Sequence, residues 1–300
     1  MATHGSTATP INLKTLMPNG QGIGFAATII YNLMGFELVA NLGNQMRNPA
    51  KDMAKAILFS AAMISLLYIL GSFAELVAIP VGHLNLVSGL IDTLITMLGK
   101  GWFATLVGLL YCVTSLGNQV TWFMAPSMAM AVAAQDGAFP KQLGKFHPKH
   151  QTPYIANFVA MTVSSVVAVL YAVLAAGNRT DLFWSLFSFS SALILVCYIV
   201  YFAAFLKLRI TDATTPRPFK VPGSMPGAVI AAILCIISAL FALMLFFFPT
   251  IFSGVINWQQ SLPVIGGVLI SIIVGELLIR AGERQGRRSS DAADAGGQSN

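Results

Sequence analysis

Asn32, Gly35, Glu37, Asn41, Asn44 and Gln45 fall within or near one otherwise apolar stretch, GFAATIIYNLMGFELVANLGNQMRNPAKDM. An acid and several amides inside lipid are costly unless they face protein or water. Gly35, two residues before Glu37, is where a helix can break most easily. A broken helix exposes backbone amides and carbonyls that can hold a zwitterion or an ion at mid-membrane. The alternative is a continuous helix whose polar residues pack on neighbours, with Glu37 in a structural hydrogen bond. Composition leaves both open.

A second polar cluster, TSLGNQVTWFMAPSMAM, holds Ser115, Asn118, Gln119, Thr121 and Trp122, with Pro126 deep in the run. Proline removes a backbone bond and kinks a helix; the plainer reading makes the amides interhelical hydrogen-bonding groups. A third segment carries Trp184 with Ser185, Ser188, Ser190 and Ser191, small hydroxyls that suit close helix packing. Glu75, near the end of another apolar run, reads either as a proton-linked group or, more simply, as an acid that reaches to the interface. His147 and His150 lie in a basic loop without further metal ligands nearby and read as solvated. Asn178-Arg179-Thr180 matches a glycosylation sequon in a very short loop. Cys112, Cys197 and Cys235 lie in apolar runs with no Cys-x-x-Cys spacing, which argues against a disulfide framework or a zinc site. No nucleophile elbow, phosphate-cradling loop or pair of acids at a cleft stands out. We expect neither an enzyme nor a cofactor.

These residues must be positioned by elements that lipid can accommodate. The chain has 300 residues, 56% hydrophobic and 9% charged, against about 25% charged in a soluble domain. Crossing the hydrocarbon takes roughly 20 apolar residues as a helix. Seven segments qualify, near 22–46, 54–79, 101–133, 155–176, 182–207, 227–249 and 262–280. Backbone groups in lipid must be paired internally, so these read as helices and the fold class as all-α transmembrane with about seven membrane helices. Residues 84–98 are too short to span and read as an amphipathic helix at the surface or in a vestibule, with a plain loop as the alternative. The first twenty residues lack the apolar core of a signal peptide.

The net charge is +6, yet the cations sit in a few loops, which argues against nucleic acid as a partner. Fourteen of the seventeen fall on one side: Arg47, Lys51 and Lys55; Lys141, Lys145 and Lys149; Lys207, Arg209, Arg217 and Lys220; Arg280, Arg284, Arg287 and Arg288. Lys14, Lys100 and Arg179 fall on the other. Cytoplasmic loops carry the excess, so the N-terminus is expected outside and the C-terminus in the cytoplasm of a multi-pass protein of the cell (inner) membrane. The expected division is an extracellular segment 1–21, a five-helix repeat 22–208, a cytoplasmic loop 209–226, two accessory helices 227–280 and a disordered tail 281–300.

Several motifs occur in the order seen in the amino acid–polyamine–organocation transporter superfamily, and the chain most resembles its bacterial glutamate/GABA antiporter branch. Gly35-Phe36-Glu37 resembles the Gly-x-Glu at the break in the family's sixth helix. Asn48-Pro49-Ala50-Lys51-Asp52 is similar to its Asn-Pro-basic-Asp loop, and Ala78-Ile79-Pro80 through Leu84-Asn85-Leu86-Val87-Ser88-Gly89 to the branch's outer loop. Trp122-Phe123-Met124-Ala125-Pro126-Ser127, then Ala134-Gln135-Asp136-Gly137-Ala138-Phe139-Pro140 and Thr152-Pro153, resemble the eighth helix and the loop after it. Arg217-Pro218-Phe219-Lys220-Val221-Pro222-Gly223 resembles the Arg-Pro-Phe-basic-x-Pro-Gly loop. The resemblance implies twelve helices, the first ten in two inverted five-helix repeats, of which residues 22–280 match helices six to twelve. Gln45, and Met128 or its neighbour, stand where the family often has an acid and an arginine, which implies altered inner-gate contacts.

The resemblance implies amino acid transport, as a permease or antiporter, across a lipid bilayer. Protons are a candidate coupling partner. The substrate-binding candidates are Asn32, Met34, Gly35, Phe36 and Glu37 at the break, with Asn118, Trp122 and Trp184 lining the path. Half of a two-repeat site cannot enclose a substrate, so a truncated transporter or a separately encoded N-terminal half is expected. A seven-helix receptor or light-driven protein fits the count, but a retinal protein needs a lysine in its last span and 262–280 has none. A non-transporting membrane scaffold stays open.

Overall fold

The computed structural model describes residues 17, 20–35, 46–80, 83, 89–174, 179–212, 215–217, 219 and 221–297. Every regular element among them is helical: α1 Gly20–Gly24, α2 Ala26–Asn32, α3 Pro49–Ala78, α4 Gly89–Leu98, α5 Trp102–Gln135, α6 Tyr154–Leu174, α7 Arg179–Thr211, α8 Ser224–Phe247 and α9 Trp258–Gly297, with short 3-10 turns at Lys141–Gly144 and Ile251–Ser253. Six of them (α3 and α5 to α9) are long and apolar enough to cross a membrane. They correspond to the last six expected spans. The first expected span, 22–46, is helical in its described part only as far as Asn32. The amphipathic helix expected at 84–98 is present from Gly89.

The helix ends follow local chemistry. α3 opens on Pro49, where no N–H is required, with Asp52 in the first turn, a favourable place for an anion. It stops at Ala78 because Ile79, ahead of Pro80, is extended (φ −128, ψ 135), as the residue before a proline tends to be. α5 ends in Gly137 at φ 83, and the Ala138 N–H turns back onto the Ala133 carbonyl at 2.9 Å, a left-handed glycine closure. α7 is closed by Arg217, whose guanidinium donates to the carbonyls of Leu208 at 3.2 Å and Asp212 at 2.5 Å. Gly223, at φ 84, starts α8.

α9 runs on to Gly297, past residue 280. Composition led to the expectation of a disordered tail over 281–300; its residues to 297 are helical instead. The segment has no proline, and its alanines, arginines, glutamate and Gln285 are good helix formers that offset its glycines.

Two compact units divide the chain, Met1–Ile23 with Leu33–Thr121, and Gly24–Asn32 with Trp122–Asn300. In the first, α4 packs on α3. In the second, α7 packs on α6, α8 and α9, and α8 also packs on α2 and α9. The core of the second unit is made largely of small residues: Ala131, Ala156, Ala192, Ala228, Ala239 and Ala242 are fully covered. Small side chains let helix backbones approach closely where lipid removes the hydrophobic incentive to associate.

Candidate functional site

The helix that carries the first polar cluster stops. α2 ends at Asn32, Leu33 is in a turn, and Gly35 takes φ 105, a backbone conformation that glycine adopts at little cost. The last carbonyls of a helix that stops have no next-turn N–H to accept from, and they carry the negative end of its dipole. Asn32 is exposed, while Met34 and Gly35 are half-buried. Phe36 and Glu37 lie outside the described residues.

α2 is held by rings. Phe25 meets Trp184 of α7 edge-on at 5.9 Å. Tyr31 meets Phe187 at 5.3 Å and Phe246 of α8 at 6.3 Å. Trp184 in turn touches Phe183 at 5.3 Å and Phe187 at 5.9 Å. Edge-to-face pairs of this kind add about 0.5–1.5 kcal/mol each beyond area burial. Trp184, expected to line a path, packs against the start of the helix that ends at Asn32. Phe25, Tyr31, Phe187 and Phe246 were not singled out by sequence. Phe183, Trp184 and Phe187, spaced along one helix, were the available signal, but their partner on α2 is some 150 residues away.

Asn118 and Trp122 sit on α5, a helix of 34 residues. Asn118 is at its middle and exposed, and Trp122 is half-buried. Pro126 lies within the helix, so the Trp122 carbonyl has no N–H four residues on to accept from. That leaves a backbone acceptor beside an indole in mid-helix. The next residue, Ser127, is completely buried, and its Oγ has no hydrogen-bond partner among the described residues. Among the described residues Trp122 makes no ring contact with α2 or α7. The structure thus brings Trp184 to α2, on which Asn32 lies. Met34, Gly35 and Asn118 belong to the first compact unit, and Asn32, Trp122 and Trp184 to the second.

The histidines of the 141–153 loop are not simply solvated. His147 is half-buried, its Nδ1 accepts from the backbone N–H of Lys149 at 3.2 Å and of His150 at 3.3 Å, and its ring lies 4.9 Å from that of His150. His147 is a turn-former. No group of three His, Cys, Asp or Glu among the described residues could hold a metal.

Residues 2–273 match the family described as amino acid permease. The chain belongs to that family. Among amino acid permease relatives, it is 34% identical over 272 residues to a probable agmatine/putrescine antiporter of Lactococcus lactis, the match covering 89% of this chain and 58% of the relative. A glutamate/gamma-aminobutyrate antiporter of the same species is 26% identical over 80% of this chain and 49% of its own length. A branched-chain amino acid permease of Bacillus subtilis is 28% identical over 74% of this chain and 46% of its own. The chain therefore spans between about half and three-fifths of the length of these relatives. The expected likeness to glutamate/GABA antiporters is present, and the agmatine/putrescine antiporter matches at higher identity. No solved structure matches significantly.

Proposed function

We propose that this chain forms the second half of an amino acid transporter of the permease or antiporter type. In this reading it lies in the cell membrane with its N-terminus outside and its C-terminus in the cytoplasm, as fourteen cations on one side against three favour. It performs no catalysis. The observation that carries the reading is the end of α2 at Asn32 followed by Gly35 at φ 105, inside a segment rich in amides. A helix interrupted at mid-membrane presents backbone acceptors where a substrate can use them.

The substrate carries an amino group. The end of α2 and the Trp122 carbonyl are both partly negative and suit an ammonium. That fits an amino acid and equally a cationic amine, the two kinds named among the relatives. Met34, Gly35, Phe36 and Glu37 would contact the substrate, with Asn32, Asn118, Trp122 and Trp184 lining the approach. Coupling is by exchange of one such substrate for another or for protons.

Enclosing the substrate requires a first repeat, supplied as preceding chain or as a separate polypeptide. Reconstitution tests both parts of the reading. The chain in liposomes takes up no radiolabelled glutamate, GABA, agmatine or putrescine when alone, and takes up at least one of them when paired with a five-helix N-terminal half. Uptake by the chain alone would refute the need for a partner; none by the pair would refute transport.

A further inference from the structure

Gly282 of α9 is buried and has no room for a side chain. A Cβ there would stand 2.7 Å from the Ala138 carbonyl oxygen and 2.7 Å from the Phe139 carbonyl carbon. Backbone is therefore laid directly on backbone, an approach that glycine permits. Three residues on, and on the same face of the helix, Gln285 accepts through Oε1 a hydrogen bond from the Lys141 backbone N–H at 3.3 Å. Both contacts fall on the turn that ends α5.

That turn is itself tied to α5. Gly137 is left-handed at φ 83, and the N–H groups of Ala138 and Phe139 return to the Ala133 carbonyl at 2.9 and 3.3 Å. Gln135 Nε2 donates to the Gly144 carbonyl at 3.3 Å, and Leu143 is buried. A displacement of the turn must move the end of α5 with it, since a packed helix transmits displacement along its length. The elements concerned, α9 and α5 from Trp122 on, lie in one compact unit.

We propose that Gly282 and Gln285 are positioning residues. Through these two residues α9 clamps the turn that follows α5, and through that helix holds Trp122 and its proline-freed carbonyl in place. The consequence for transport rests on the function proposed above; the clamp itself does not. Loosening it frees this part of α5 to occupy more than one position, which misplaces the Trp122 carbonyl and weakens substrate binding.

The test uses the full chain with Cys112, Cys197 and Cys235 changed to alanine and a reporter cysteine at Met130, a half-buried position of α5. Labelling by a water-soluble maleimide is expected to rise about fivefold in Gly282→Leu and in Gln285→Met, a change within the range of couplings carried through packed elements. Gln285→Glu keeps an acceptor oxygen for the Lys141 N–H and is expected to label like the parent, which separates loss of the bond from general misfolding. In liposomes holding the chain with a five-helix N-terminal half, the first two variants raise KM for uptake about fivefold, and Gln285→Glu keeps the parental KM. Unchanged labelling in Gly282→Leu and Gln285→Met would overturn the proposal. So would altered labelling with unaltered uptake. Altered labelling where even the parent pair takes up nothing upholds the clamp and counts against the transport reading instead.

Discussion

A methyl group added at Gly267 would meet the Phe189 ring at 2.8 Å and the Tyr171 hydroxyl at 3.0 Å. At this point α6, α7 and α9 converge. Tyr171 stacks on Phe189 at 5.5 Å and donates to the Pro263 carbonyl at 3.1 Å. Gly267→Ala is expected to destabilise the protein by about 1–3 kcal/mol, the usual cost of overpacking, and Phe189→Leu in the same chain to recover part of it. Thermal unfolding in detergent checks both; no recovery would mean the strain lies elsewhere. Tyr171→Phe removes only the hydroxyl and is expected to cost about 1 kcal/mol. Arg217 makes a comparable case at the end of α7. Its side chain is 25% exposed and lies 4.0 Å from the Asp212 carboxylate, so the carbonyl bonds rather than the ion pair carry its effect. Arg217→Lys is expected to stabilise α7 less well than arginine, because an ammonium is a single nitrogen and lacks the second one with which the guanidinium also reaches the Thr215 carbonyl at 3.4 Å. A melting temperature equal to the parent's would refute that. None of these roles was legible in the sequence. Glycine inside an apolar run reads as a generic small residue, and arginine in a basic loop reads as one more positive charge.

At the scale of the element, much was legible where punctuation is local. Pro49, Pro80, Gly137 and Gly223 mark helix ends because each constrains or frees its own backbone whatever surrounds it. The end of α2 at Asn32 is compatible with one of the two open readings of this segment, which arose because an apolar segment carrying an acid and amides conflicts with a plain lipid-facing helix. Gly35→Ala forces a Cβ into φ 105, a strain of about 1–3 kcal/mol. On the function proposed above, and with an N-terminal half present, it is expected to abolish or strongly reduce uptake while leaving expression in the membrane near parental; unimpaired uptake would argue that Gly35 is not part of the site. Two elements were misjudged or missed. The extension of α9 escaped because polar composition alone does not separate a helix from a disordered tail. The ring cluster around Trp184 escaped because Phe25 and Phe246 reach it only through tertiary packing. Trp184→Ala is expected to loosen α2, and Trp184→Phe to retain most of the packing. Protease accessibility near the break reads the difference.

For the molecule as a whole, the distribution of charge and apolar length is the most legible level. Lipid imposes both the length of a span and the side on which cations stay, so neither depends on tertiary detail. Cysteines placed at Lys14 and at Arg284 are expected to label from opposite sides of sealed membrane vesicles, Arg284→Cys from the cytoplasmic side. Labelling of both from one side would overturn the orientation. The division into two compact units was not legible, since one of its boundaries falls inside α5, between Thr121 and Trp122. Nor could the sequence say which face of each span meets protein. The alanines of α8 illustrate what that face requires. Ala228, Ala232, Ala239 and Ala242 lie covered, while Ile230, Ile233, Leu234, Ile237 and Leu240 on the same helix are exposed. Substitution along α8 should therefore be tolerated asymmetrically. Ile, Leu, Val and Phe can replace one another at the exposed positions, where the lipid rearranges around them. The covered alanines accept glycine or serine and reject anything larger. Under neutral drift the bulky residues on the exposed face of this helix would change freely and its covered alanines hardly at all.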